Sequence, residues 1–557
     1  MDLTGLDKHP VKLELLPHLV DRIAREQPQK TWLVCPRVSS DPSQGFDDIC
    51  YAAAANAINH TAWFFEQALG KPQPGKFPVV SYTGTADLRY CLLPIALVKC
   101  GYQILLLSDL SSADMREHLL KAADCRLFAC AVSSSNDPVL ARLGLKPIIV
   151  PELKDLLVTD LIEPYPYSKT TEQGLNDPLM KLHTSGTSSL TGRPKIVTYT
   201  MGTACASQLQ RLVPSLNGHE NSFVKDAELT RIYTAFRISH AGGVWISFRF
   251  MYQGVAIVHG GDDPLSLNTF QHVLDSTGID GALLPPILLE AIAIRPDLVC
   301  QLSKLKQVLY AGGPLSATAG NEIARHALLY TRYGSTENAA PVTTHVTDPE
   351  DWQYCHFNPK YSGFSWRRYP PHDPTSKLSE AVVIRHPDPL VRHEQPVFWN
   401  FPDTTEWPME DLFEPHPTKA DHWKYAGRRD DMIIVGNGTN IMPTFFEQEM
   451  LQQDPRVKKA VMYGDGEAHL AVLIELANSV EEGLEMEHAK VDIWPLVDCC
   501  NQLISRGTQL PRHAIVIAKK DKPLPRGGKG DVQRKLAKAM YETELAEVFK
   551  GSEMNVR

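Results

Sequence analysis

Val79-Val80-Ser81-Tyr82, an apolar run over 88–99, Ile104-Leu105-Leu106-Leu107, a second run over 113–123 and Leu127-Phe128-Ala129-Cys130 follow one another along one stretch of chain. Short leucine- and valine-rich runs bounded by turn residues read as strands, and the longer runs between them as helices. The stretch 79–131 therefore predicts a mainly parallel α/β sheet. Similar strands recur at Val255-Ala256-Ile257-Val258, Gly281-Ala282-Leu283-Leu284 and Gln307-Val308-Leu309-Tyr310. The run 90–107 holds Lys99 and is broken at Gly101, so it reads as a buried helix followed by a strand rather than a membrane span.

Further along, the pattern changes twice. Residues 352–374 are aromatic, basic and proline-rich and predict loops with irregular antiparallel strands. After Asp430 come a strand at 432–435, an Asn437-Gly438 turn, a helix from about Thr444 and a strand at 459–463. These features predict a large unit over 1–429, α/β with an irregular β subdomain, and a small mobile α+β unit over 430–557.

A chain of 557 residues is too long for one hydrophobic core. Its net charge of −9, with no extended Lys/Arg stripe, argues against nucleic acid as a ligand. The first ten residues lack a basic-then-apolar secretory layout, and eleven cysteines without a C-x-x-C pair fit reduced, mostly buried thiols. A cytoplasmic protein without membrane or nucleic-acid partners is expected.

Chemistry enters at His183-Thr184-Ser185-Gly186-Thr187-Ser188-Ser189-Leu190-Thr191-Gly192-Arg193-Pro194-Lys195. Small residues let backbone N–H groups turn toward an anion, hydroxyls add donors, and Lys195 adds positive charge, a combination suited to phosphate. It is not the P-loop pattern, since Gly192 is followed by Arg-Pro. Read alone, the segment is equally a polar surface turn.

Four more segments appear in a fixed order: Ala311-Gly312-Gly313-Pro314, Tyr333-Gly334-Ser335-Thr336-Glu337, Asp411 within Met409–Phe413, and Gly427-Arg428-Arg429-Asp430-Asp431. Pro525-Arg526-Gly527-Gly528-Lys529-Gly530 closes the series. Together they make the chain resemble the adenylate-forming superfamily over nearly its whole length. Leu16-Pro17-His18, Asp411-Leu412-Phe413-Glu414-Pro415 and Trp494-Pro495 make it similar, within that superfamily, to adenylation domains of fungal synthetase-like carboxylic acid reductases.

The resemblance implies ATP and Mg²⁺ as cofactors and assigns roles. Thr184, Ser185, Gly186, Thr191, Gly192 and Lys195 would frame the phosphates, and residues 187–190 would form a bulge, because the loop carries three residues more than the family form. Tyr333 would face adenine, with Gly312 and Gly313 allowing close backbone approach. Thr336 would contact the α-phosphate and Glu337 would hold the metal. Asp411 would accept the ribose hydroxyls beside Arg428, and Asp430 would be the hinge of the small unit. Each has a plainer reading: core packing for Tyr333, a helix cap for Asp411, a solvated turn for 427–431.

The catalytic lysine is displaced. Asp531 occupies the family's lysine column, which leaves Lys529 as the candidate and Lys535 behind it. The acid pocket is expected around His240, Ala241, Gly243, Gly313 and Asn338, with His240 doubling as a catalytic candidate. Amino-acid-activating relatives place an aspartate where Ala241 stands. An ammonium without that partner would bear a desolvation cost of several kcal/mol. The expected substrate is a carboxylic acid without an α-amino group, aromatic by preference, passed to phosphopantetheine on a carrier domain with a reductase domain downstream. Two alternatives stay open: a free-standing ligase using CoA, and a catalytically weak nucleotide-binding scaffold.

Overall fold

The computed structural model describes residues 1–107, 111–158, 160–184, 194–371, 373–435, 440–478, 484–504, 509–526 and 532–550. Two mainly parallel sheets dominate the first part of the chain. One has six strands in the order Pro147–Ile149, Leu127–Cys130, Val79–Thr83, Gln103–Leu106, Pro178–His183 and Ile196–Thr200, antiparallel only at the last pair. The other has seven, in the order Leu329–Thr331, Gln307–Tyr310, Gly281–Leu284, Arg231–Thr234, Ala256–His259, Thr31–Pro36 and Phe46–Cys50, and again only the last pair is antiparallel. The stretch 79–131 thus forms the parallel sheet its alternation predicts.

The helix Arg89–Lys99 is buried at every residue. A helix apolar all round belongs inside a protein or a membrane. Here its two charged ends are neutralised locally: Arg89 pairs with Asp87 at 2.7 Å, and Lys99 Nζ donates to Asn59 at 2.9 Å and to Asp21 at 3.1 Å. Among the described residues no helix is long and apolar enough to cross a membrane. All eleven cysteines are free, and eight are buried.

Residues 352–428 build a wholly antiparallel five-stranded sheet, ordered Tyr354–His356, His422–Arg428, Glu406–Pro415, Ser379–Ile384 and Phe364–Arg368. Its aromatic residues pack on one another, with Trp366 stacked on Trp423 at 3.8 Å between ring centroids. A separate core follows. The strands Val457–Tyr463, Ala471–Leu476 and Ile515–Ile517 form a three-stranded sheet covered by Pro443–Gln453 and Leu484–Cys500. The strand expected at 432–435 is shorter, Ile433–Ile434, and pairs with Asn440–Ile441. The Asn437-Gly438 turn lies outside the described residues.

Candidate active site

In open α/β sheets, ligands bind beyond the carboxyl ends of the strands, where loops can reach in without breaking the ladder. Four such ends carry the expected residues. His183 ends its strand, and the strand Arg231–Thr234 leads into Phe236–His240. Gln307–Tyr310 leads into Gly312-Gly313, and Leu329–Thr331 into Tyr333–Asn338.

The segment expected to hold phosphate is closed at its base. Thr184 N–H donates to Lys195 O and Lys195 N–H donates to Thr184 Oγ1, both at 3.0 Å. Lys195 is exposed and Thr184 half-buried. Ser185, Gly186, Thr191, Gly192 and the bulge 187–190 lie outside the described residues.

His240 precedes the helix Ala241–Gln253, and its carbonyl accepts the N–H groups of Gly243 and Val244 at 2.9 Å each. A Cβ at Gly243 would sit 2.2 Å from Arg237 O, closer than any such contact, so glycine is required for the helix to start there. Ala241 is half-buried, and the His240 ring lies 6.0 Å from that of His183. Gly312 has φ +92°, a left-handed conformation that glycine accepts without strain. At Gly313 the nearest atom to a built Cβ is Pro286 Cγ at 3.9 Å, so space rather than strain distinguishes it.

The Tyr333–Asn338 turn is fixed from both sides. Ser335 N–H donates to Ala339 O at 3.0 Å, and Asn338 N–H to Ser335 Oγ at 3.1 Å. Tyr199 Oη donates to Thr336 O at 2.8 Å, and Asn400 Nδ2 to Glu337 O at 2.9 Å. These bonds hold the backbone and leave the half-buried Glu337 carboxylate as a hard oxygen donor of the kind magnesium takes. The residues present therefore fit a nucleotide and its cation. Asn338 is buried at 2% exposure.

Tyr333 and Asp411 are joined. The Tyr333 hydroxyl donates to Asp411 Oδ2 at 2.5 Å, and Arg428 Nη1 donates to Asp411 Oδ1 at 3.2 Å. Asp411 lies mid-strand in Glu406–Pro415, cross-strand from Arg428, and is 4% exposed. A cap it is not. Burial pushes its carboxyl up to about 6, against the opposing pull of Arg428 and Tyr333. Tyr333 is itself 8% exposed, its ring edge-on to Phe357 and Phe413.

Beyond Arg428, Asp430 is exposed, while Arg429 pairs with Glu380 at 2.7 Å. One residue that carried no assigned role stands out. Arg534 donates through both terminal nitrogens to Glu447 at 2.8 Å and lies 3.4 Å from Asp431, tying the start of Arg534–Met540 to the chain beside Asp430. Its place one residue before the lysine candidate Lys535 was the available signal. Gln448 Nε2 donates to Pro314 O at 2.6 Å, so the helix Pro443–Gln453 rests on the glycine loop. Lys529 and Asp531 lie outside the described residues, and Lys535 is exposed.

Comparison with known proteins shows the family. Residues 20–357 match the AMP-binding enzyme family, and residues 430–553 match the AMP-binding enzyme C-terminal domain. A carboxylic acid reductase of Neurospora crassa is 30% identical over 98% of this chain and 52% of its own length. Adenylate-forming reductase Nps11 of Serpula lacrymans is 25% identical over 96% of this chain and 49% of its own. The chain thus spans about half the length of these relatives. Among solved structures, the anthranilate CoA ligase AuaEII in complex with anthranoyl-AMP superposes with a TM-score of 0.69 at 15% identity, covering 96% of this chain and 98% of that one. The family match, the two parallel sheets and the separate C-terminal core agree: the chain belongs to the AMP-binding enzymes of the adenylate-forming superfamily.

Proposed function

We propose that this chain activates a carboxylic acid without an α-amino group, aromatic by preference, and passes it as a thioester to phosphopantetheine on a carrier domain of a carboxylic acid reductase-like protein. The observation that carries the reading is Asp411, a buried carboxylate positioned by Tyr333 and Arg428 beside the Thr336-Glu337 turn. Burial raises its carboxyl to about 6, and a buried carboxylate held by a hydroxyl and a guanidinium supports a binding role. The similarity to the reductases of Neurospora crassa and Serpula lacrymans supports the carrier and reductase as partners. Free, mostly buried thiols support a cytoplasmic location.

In the proposed first step an oxygen of the substrate carboxylate attacks the α-phosphorus of ATP. The new P–O bond forms as the bond to the β-phosphate oxygen breaks, and pyrophosphate leaves. Magnesium, when bound, offsets the phosphate charge. Donors already aimed at the developing charge do most of such work, because they need no reorganisation. Thr184, Lys195 and Thr336 are assigned to the phosphates, Glu337 to the cation, and Asp411 with Arg428 to the ribose. Lys529 is assigned to bridge carboxylate and phosphate, with Asp531 close in sequence as an opposing charge. His240, Ala241, Gly243, Gly313 and Asn338 are assigned to the acid pocket. In the second step the phosphopantetheine thiol loses its proton to solvent, its sulfur attacks the acyl carbon, and the C–S bond forms as the acyl C–O bond to the phosphate breaks and AMP leaves. Rotation of 430–557 about Asp430 relative to 1–429 would present the two sites in turn.

Acid-dependent exchange of pyrophosphate into ATP, measured over aryl, keto and α-amino acids, tests the reading. Exchange is expected with aryl acids and is expected to fall sharply in Lys529→Ala. Exchange only with amino acids would refute the substrate class, and an unchanged Lys529→Ala rate would refute the lysine. Loading of a carrier domain but not of free CoA is expected; the reverse would establish a free-standing CoA ligase.

A further inference from the structure

Away from the nucleotide residues, three histidines meet. His356 ends the strand Tyr354–His356 and pairs directly across the ladder with His422, the first residue of His422–Arg428. His219 approaches on a tight hairpin in which Leu216 and His219 exchange backbone hydrogen bonds. The two turn residues, Asn217 at φ 54° and Gly218 at φ 83°, both take the positive angles that such a two-residue loop needs. One ring nitrogen from each histidine lies within 4.8 Å of the others. His356 is 0% and His422 4% exposed, and His219 is half-buried.

The outward hydrogen bonds determine which nitrogens face inward. His219 Nδ1 lies 3.1 Å from His345 O, and His422 Nδ1 lies 2.7 Å from Ala420 O. A carbonyl only accepts, so both Nδ1 atoms donate, and in the neutral tautomer the Nε2 atoms are the ones with a lone pair to offer. His356 Nδ1 bonds the Thr344 hydroxyl, which can accept in the same way. The Nε2 atoms of His356 and His422 are buried without a hydrogen-bond partner among the described residues. Orphaned buried nitrogens on two adjacent imidazoles are costly unless something accepts their lone pairs.

We propose that His219, His356 and His422 form a binding site for a divalent transition-metal ion, with Zn²⁺ the best match. Imidazole nitrogen suits zinc, and an outer carbonyl that fixes the tautomer is the usual support for a metal-bound histidine. Tetrahedral zinc with bonds of about 2.0–2.1 Å needs nitrogens about 3.4 Å apart, so each ring draws in by less than about 1 Å. Three protein ligands leave a fourth position for a water molecule. The charges that act on His219 include the Lys419 ammonium and the Asp351 carboxylate, which pair with each other, and His416, 3.3 Å from Asp351, lies beside His422.

The place in the fold indicates a clamp. The ion would fasten the 216–219 hairpin to the edge of the five-stranded sheet. The strand His422–Arg428 runs from this site to the partner of Asp411, so the two sites sit at opposite ends of one strand, about 20 Å apart at 3.3 Å per residue. Adenylate chemistry would not pass through the metal.

The untagged full chain, desalted after exposure to Zn²⁺, is expected to retain one zinc per chain by elemental analysis. Co²⁺ should give a visible spectrum typical of a low-coordinate nitrogen site, and Zn²⁺ should raise the thermal midpoint. Loss of outer hydrogen-bond partners alone weakens metal sites about 10–100-fold, so His219→Ala should weaken Zn²⁺ binding by more than about 100-fold and abolish the spectrum. His356→Ala and His422→Ala should do likewise, but they remove core side chains. His219→Ala, on a surface hairpin, is therefore the decisive variant, with its fold checked by circular dichroism and pyrophosphate exchange. Retained zinc or an unchanged Co²⁺ spectrum in folded His219→Ala would overturn the proposal, as would failure of the wild-type chain to hold zinc.

Discussion

Replacing Tyr333 with Phe should move the pH dependence of ATP binding rather than simply weaken it. The substitution keeps the ring among Phe357 and Phe413 and removes only the hydroxyl that donates to Asp411 at 2.5 Å. A hydrogen bond to a charged group contributes about 1.5–3 kcal/mol. One pKa unit corresponds to about 1.4 kcal/mol, so the loss should raise the Asp411 carboxyl by about one to two units, from about 6 to about 7–8. The ionised carboxylate is the form that would accept the ribose hydroxyls in the role proposed for Asp411. At pH 7 the wild type is then about 90% competent and the variant about 10–50% competent, which predicts about two- to tenfold weaker ATP binding. Near pH 9 both are ionised and the difference should vanish. Titration of the nucleotide itself is common to both proteins and cancels in the ratio. Displacement of a fluorescent ATP analogue across this pH range measures that ratio directly. A variant-to-wild-type ratio that does not change with pH would refute the coupling of Tyr333 to Asp411.

Two further perturbations probe other parts of the structure. Gly243→Ala would gain about 1 kcal/mol in helix propensity but force a methyl to within 2.2 Å of Arg237 O, an overpacking cost of about 1–3 kcal/mol. Net destabilisation in urea, with a lowered pyrophosphate exchange rate, is expected; a more stable and equally active variant would show that the 237–243 turn is not constrained as described. Arg534→Ala would leave Glu447 and Asp431 without their shared cation. Breaking a buried pair costs about 3–5 kcal/mol, and because Arg534 is 21% exposed the lower figure applies. Hydrogen exchange in Val457–Tyr463 should rise accordingly, and a change below about 1 kcal/mol would contradict that role.

Much of the architecture was legible because it is written in local patterns. The alternation across 79–131, and the strands near 255–258, 281–284 and 307–310, appear within a residue or so of where they were expected, since apolar periodicity and turn residues act over short distances. Order along the chain likewise exposed the family, because motifs that meet at strand ends keep their sequence context. The junction of Tyr333 with Asp411 was not legible. Nothing in either segment announces that a hydroxyl and a carboxylate far apart in sequence share one hydrogen bond. Arg534 stands next to the candidate Lys535 in sequence, yet its partners Glu447 and Asp431 come from other elements.

By itself, then, the sequence determined the α/β class, the antiparallel change of character after Trp352, the adenylate-forming family and the residues to inspect. Each rests on the identity and spacing of near neighbours. Only the tertiary structure decided which of those residues touch, how far burial raises the Asp411 carboxyl, and that His219, His356 and His422 converge from a hairpin and two paired strands. Charge shifts and ligand sets depend on distances between segments that are remote along the chain, and those distances exist only once the sheets have assembled.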